Sequence, residues 1–191
     1  MRYRSYQGFK SNPIWIIIGV NFIFFIATTI SPQLIFLLGL QPAGFLSHPW
    51  TILTNMFVHA GFGHFFGNMI TLFFFGRALA MLVGDNKFLL VYFIGGILGN
   101  ILYLLLGAPM SIAVGASGAV YAVAGALVVL MPNSRVHVYF IFPMRLWVVV
   151  LVFFVLWSFI PGVAWQAHFG GLIFGLAAGY FFKRKMRFYY R

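Results

Sequence analysis

Long apolar runs alternate with short polar breaks along this chain, and the runs have the length of bilayer-crossing helices. Six stand out: residues 13–30, 64–83, 88–106, 116–131, 144–160 and 165–182. A spanning helix needs about 17–25 mainly apolar residues. The fourth and fifth runs lie near the short end of that range. Pro13 opens the first run, where a missing N–H costs nothing, and Ser31-Pro32 closes it. Gly84-Asp85-Asn86, Met131-Pro132-Asn133 and Pro161-Gly162 read as turns. The first run is too long for the ~7–15-residue core of a cleavable signal peptide, and no clear small-residue cleavage site accompanies it. The expected fold is an all-α polytopic membrane protein. One six-helix domain spans 13–182, between basic tails at 1–12 and 183–191.

Composition agrees with lipid as the main solvent. Of 191 residues, 63% are apolar and only 7% charged, against about 25% charged in an ordinary soluble domain. There is no cysteine, so disulfides and thiolate chemistry are absent. The net charge of +11 does not point to nucleic acid, because the cations sit in connections and tails. With six spans and both termini cytoplasmic, all 12 lysines and arginines fall on the inner side. The outer connections, 31–63, 107–115 and 161–164, then contain none.

This topology places the polar groups by depth. Ser117 starts the fourth helix at its outer end. His168 lies about one turn into the sixth. His64 and Asn68, four residues apart on one face, start the second. Four polar side chains therefore share one shallow layer below the outer surface. Each alone has a plainer role, as a small packing residue, a cap or a partner of a backbone carbonyl. Together they read as one site, because polar groups in spanning helices are costly and turn toward the bundle interior or a wet cavity.

Two stripes of small residues can bring Ser117 and His168 together. Gly118, Ala122 and Ala126 recur every fourth residue on one helix, and Ala167, Gly171, Gly175 and Gly179 on the other. A serine hydroxyl beside an imidazole is the minimal nucleophile and general-base pair. The sole acidic residue, Asp85, lies at the opposite end, so the pair is expected to work as a dyad. Tyr121, one turn beyond Ser117, can stack on the imidazole. The Ser117 N–H, His64 and Asn68 can donate to a developing oxyanion. Gly115 allows a sharp turn before the serine. No metal-ligand cluster is evident, and no metal or cofactor is expected.

Three segments resemble the rhomboid family of intramembrane serine proteases. "GASGAVYA" (Gly115 to Ala122) matches the family pattern G-x-S-G-x-x-x-A and includes Gly118. "AHFGGLIFG" (Ala167 to Gly175) is similar to the helix bearing the family's catalytic histidine. "FVHAGFGHFFGNM" (Phe57 to Met69), preceded by "PWTILTNMF", is similar to H-x-x-x-x-H-x-x-x-N. The resemblance implies a Ser117 nucleophile, a His168 base, an oxyanion role for His64 and Asn68, and an accessory role for His59. It also implies membrane-protein substrates with helix-destabilising or small residues near the cut. Two features depart from the family: 31–63 lack the Trp-Arg pair often found there, and Ala80 stands where a glutamate is frequent.

The expected function is intramembrane endopeptidase cleavage of spanning segments, from a cell-membrane protein whose site faces outward. An inactive relative that binds and escorts membrane segments is the first alternative. A small-solute transporter is the second, disfavoured by the scarcity of carboxylates that cation and proton paths use.

Overall fold

Apolar helices dominate the structure, a computed structural model that describes residues 12–138 and 141–189. The expected N-terminal tail lies outside the described residues except for Asn12. Helix α1 (Pro13–Ile30) begins where the Asn12 side chain accepts the Ile14 N–H at 3.0 Å, with Pro13 in its first turn. Two short helices, α2 (Leu34–Leu38) and α3 (Thr51–Thr54), and a 3-10 turn at Asn55–Phe57 punctuate the next connection. The second span is a continuous rod over Phe62–Val83. It consists of α4 (Phe62–Thr71), a π-helical turn at Leu72–Gly76 and α5 (Arg77–Val83).

Gly84, at φ 89°, turns the chain directly into α6 (Asp85–Leu106). The expected three-residue turn is thus a single glycine. Asp85 and Asn86 already belong to α6, with Asp85 at the end where the helix dipole favours an anion. Helix α7 (Ser117–Leu130) is the bundle's centre, buried almost without a break from Gly118 to Leu127.

The all-α expectation fails at one place. The fifth helix does not start at 144: Met144 and Arg145 belong to an antiparallel hairpin, β1 (Arg135–Val138) with β2 (Phe142–Arg145). The cause is a period of two. Val136 and Met144 pair across the strands and are half-buried, whereas Arg135, His137 and Arg145 are exposed. Helix α8 (Leu146–Ser158) is therefore short, at 13 residues. Helix α9 (Trp165–Tyr189) runs through Lys183, Arg184 and Lys185, so the start of the basic C-terminal segment is helical.

Among the described residues, three helices are long and apolar enough to cross a membrane by length and composition: Pro13–Ile30, Phe62–Val83 and Asp85–Leu106. Large apolar side chains, among them Trp15, Ile23, Phe74, Leu105 and Phe181, point outward. Such a surface suits hydrocarbon rather than water.

Helix α9 has its most extensive helix contacts with α7 and α6. The small stripes explain how backbones come so close. A side-chain carbon on Gly171 would strike the Gly118 carbonyl, and one on Gly175 the Ala122 carbonyl. On Gly179 it would meet the Ala126 carbonyl at 2.7 Å. Gly95 of α6 faces Ala122 in the same way, and Gly99 faces the Ala167 carbonyl. At the far end of the bundle, the Lys183 ammonium donates to the Val129 carbonyl at 2.8 Å, within the last turn of α7.

Candidate active site

Ser117 stands on a backbone fixed from several sides before α7 begins. Leu40 and Ala113 form an isolated antiparallel bridge, with N–H···O distances of 2.9 and 2.8 Å. Two residues on, the Gly115 N–H donates to the Asn55 carbonyl at 2.8 Å. The Ala116 N–H points to Nε2 of His59 at 3.5 Å. The helix then starts, and the Ser117 N–H is among the first amides, which have no acceptor within the helix.

Nε2 of His168 lies 2.7 Å from the Ser117 hydroxyl. The imidazole is 4% exposed, and its Nδ1 has no hydrogen-bond partner among the described residues. A neutral ring that accepts the serine proton at Nε2 carries its own proton on Nδ1. No carboxylate orients it: Asp85 begins α6 at the other end of the bundle. Aromatic packing takes that part. The Tyr121 ring lies against the imidazole, with centroids 4.7 Å apart and planes 30° apart. Phe154 of α8 meets Tyr121 edge-on at 5.9 Å.

His64 reaches the same place from α4. Its Nδ1 accepts the Ala60 N–H at 3.4 Å, which leaves the Nε2 edge free to donate. That edge borders Gly115. A side-chain carbon on Gly115 would sit 2.6 Å from His64 Nε2 and 3.7 Å from the Ser117 hydroxyl. The space that glycine leaves open is thus lined by the serine oxygen and an imidazole N–H. Asn68 is buried one turn along α4, where its amide donates to the His64 carbonyl at 2.9 Å. No hydrogen bond joins Asn68 to Ser117 or His168 among the described residues. Gly118 packs against the Ala167 carbonyl, 3.2 Å from where its side chain would begin.

His59 lies beneath this layer, just before α4. Its ring meets those of His64 and Phe65 edge-on, at 5.1 and 5.6 Å. Burial, reinforced by the nearby His64, lowers its pKa to about 3, so the ring is neutral under ordinary conditions. Nδ1 faces the Phe57 carbonyl at 3.3 Å and donates to it, leaving Nε2 as an acceptor for the Ala116 N–H. His59 thereby supports the backbone next to Ser117.

Gly115 is the most demanding backbone position in the site. Its φ is +121°, a value L side chains rarely adopt. Gly115→Ala therefore adds about 1–3 kcal/mol of backbone strain, and its methyl group drives into the His64 ring. The expected result is a lower thermal midpoint together with loss of reaction at Ser117, read by differential scanning fluorimetry and by covalent labelling of the serine. A variant labelled at the wild-type rate would show that this space is unimportant.

Sequence reasoning missed Asn55 and Asn100. Their side chains pair reciprocally, at 3.1 and 2.8 Å, and Asn100 also donates to the Ile52 carbonyl at 2.8 Å. The available signal was Asn100 itself, an amide within an apolar span, which requires a partner.

Comparisons with known proteins place the chain in a family. The chain is 34% identical over 137 residues to the protein YdcA of Bacillus subtilis (strain 168), covering 69% of this chain and 64% of that one. It is 32% identical over 132 residues to RHOMBOID-like protein 6, mitochondrial, of Arabidopsis thaliana, covering 69% and 43%. It is 29% identical over 129 residues to the rhomboid protease GluP of Bacillus subtilis (strain 168), covering 68% and 25%. The match thus spans less than two thirds of the length of each of these relatives. The Rhomboid domain family matches residues 46–185, a segment that contains every polar side chain of the site. The chain belongs to the rhomboid domain family of membrane proteins.

Proposed function

We propose that this protein is an intramembrane serine endopeptidase that cuts spanning segments of other membrane proteins. The observation that carries this reading is the 2.7 Å approach of His168 Nε2 to the Ser117 hydroxyl. Ser117 Oγ attacks the scissile carbonyl while His168 takes its proton, then passes it to the leaving amine. Water, deprotonated by the same imidazole, releases the acyl group and restores the serine. The Ser117 N–H and the Nε2–H of His64 hold the oxyanion in the space over Gly115. Asn68 contributes after redirecting its amide from the His64 carbonyl, or holds His64 in place through it.

The substrate is a helix before it is cut. In hydrocarbon its amides are tied up in internal hydrogen bonds, so it must unwind locally before a serine can reach a carbonyl. That favours segments with small or helix-destabilising residues near the cut. The distribution of cations supports six spans with both termini cytoplasmic, which puts the site toward the outer face of a cell membrane. Membrane-protein substrates and the lipid bilayer are then its partners, and the dyad works without a metal or cofactor.

The test is purified wild-type protein given a fluorophosphonate and, separately, a reconstituted spanning substrate. The expected results are one covalent adduct on Ser117 by mass spectrometry, and cleavage that the adduct blocks. Binding of spanning segments with neither adduct nor cleavage would favour the escort reading.

A further inference from the structure

We propose that Asn55 and Asn100 are positioning residues, a side-chain latch that sets the backbone on which Ser117 stands. Asn55 belongs to the 3-10 turn before α4, and Asn100 to the last two turns of α6, 45 residues away. Both are buried, at 2% and 4% exposure. Their amides exchange two hydrogen bonds, and Asn100 spends its other N–H on the Ile52 carbonyl. Asn100 thus grips the Ile52–Asn55 segment at two points, one backbone and one side chain.

The grip leads directly to the serine. The Asn55 carbonyl accepts the Gly115 N–H at 2.8 Å, two residues before Ser117. Gly115 at φ +121° has no side chain of its own to fix it. The next amide, of Ala116, has only the 3.5 Å contact with His59 among the described residues. Among the described residues, the bond to the Asn55 carbonyl is therefore the shorter of the two made by the Gly115 and Ala116 amides, beyond the Leu40–Ala113 bridge. If Asn55 shifts, Gly115 shifts, and with it the space between His64 and Ser117. The amide pair suits this task because it fixes direction as well as distance. Two apolar side chains would fill the same volume without specifying where the Asn55 carbonyl points.

The proposal rests on Ser117 as nucleophile for its functional meaning, but its structural half does not. The discriminating variant is the double replacement Asn55→Leu with Asn100→Leu. Each single leucine leaves a buried amide unpaired and is expected to lower the thermal midpoint. Replacing both partners by apolar groups of similar size removes that penalty for the amide pair and leaves only the Ile52 carbonyl without its Asn100 donor, so the double variant is expected to regain part of the lost stability. A packing role alone would return activity with stability.

The latch predicts otherwise. The double variant keeps a folded thermal transition, yet reacts with a fluorophosphonate at least about 10-fold more slowly, as misplacement on the ångström scale implies. Its loss against a spanning substrate falls on kcat, with KM little changed. In hydrogen exchange, a peptide covering 113–117 opens faster while α9 peptides do not. A stable double variant with wild-type exchange at 113–117 and wild-type labelling would overturn the latch. Failure of the wild type itself to label would reject the protease reading, and the exchange comparison would still decide the latch.

Discussion

Ser117→Ala and His168→Ala are each expected to reduce cleavage by about 10⁴-fold or more, with the double variant no worse than either single one. The expectation follows from the dyad working as a unit. Without His168, the imidazole left beside Ser117 is His64, which accepts the Ala60 N–H at Nδ1 and so presents a donor Nε2–H rather than a base. The chain's one carboxylate, Asp85, starts α6 at the other end of the bundle, and His59 faces Phe57 and Ala116 instead. Without Ser117, the imidazole has no nucleophile to activate. A loss of 10⁴ corresponds to about 5.4 kcal/mol of transition-state stabilisation. Single-turnover cleavage of a reconstituted spanning substrate measures it. Both variants should keep the wild-type thermal midpoint within a few degrees, because the pair adds one hydrogen bond to an interface held by backbone packing. Cleavage retained by either single variant would remove that residue from the mechanism. Losses that multiply in the double variant would mean two separate roles.

Much of this arrangement could be read from the chain because a lipid environment makes certain residues expensive. Polar groups such as Ser117, His64, Asn68 and His168 stand out in apolar spans, and Ser117 and His168 do meet. Glycines every fourth residue foretold the close approach of α7 and α9 because few other patterns allow backbone contact. The hairpin was hidden for the opposite reason. Its second strand runs without a break into the apolar helix that follows, and the alternation of Val136 and Met144 with Arg135, His137 and Arg145 is what marks the strands. The Asn55–Asn100 pair was out of reach because its partners lie 45 residues apart, and nothing local tells which amide each will meet. The same holds for Asn68. Its place on the face of His64 was evident, but not that its amide would bond to the His64 carbonyl.

Gly171→Val is expected to separate α7 from α9 and to lower both stability and the reactivity of Ser117. A side-chain carbon at Gly171 overlaps the Gly118 carbonyl, with the Gly118 Cα only 3.4 Å away. What it strikes is backbone on the opposite helix, so no change of rotamer can make room. The helices must move apart or α7 must bend at its first turn, where Ser117 sits. Overpacking of this kind costs about 1–3 kcal/mol and occasionally more. A branched residue against backbone belongs at the upper end. The geometric consequence is larger than the energetic one. His168 is three residues before Gly171 on α9, and Ser117 is next to Gly118 on α7. A shift of about 1 Å there breaks the 2.7 Å contact and removes about 10²-fold of rate. Gly19→Val is the control, since nothing lies within 4 Å of a side-chain carbon at Gly19. It should leave both the thermal midpoint and the rate of serine labelling near wild type. Gly171→Val should lower both, with Gly171→Ala in between. A Gly171→Val protein that melts and labels like wild type would show that the serine and the imidazole do not depend on this interface for their alignment.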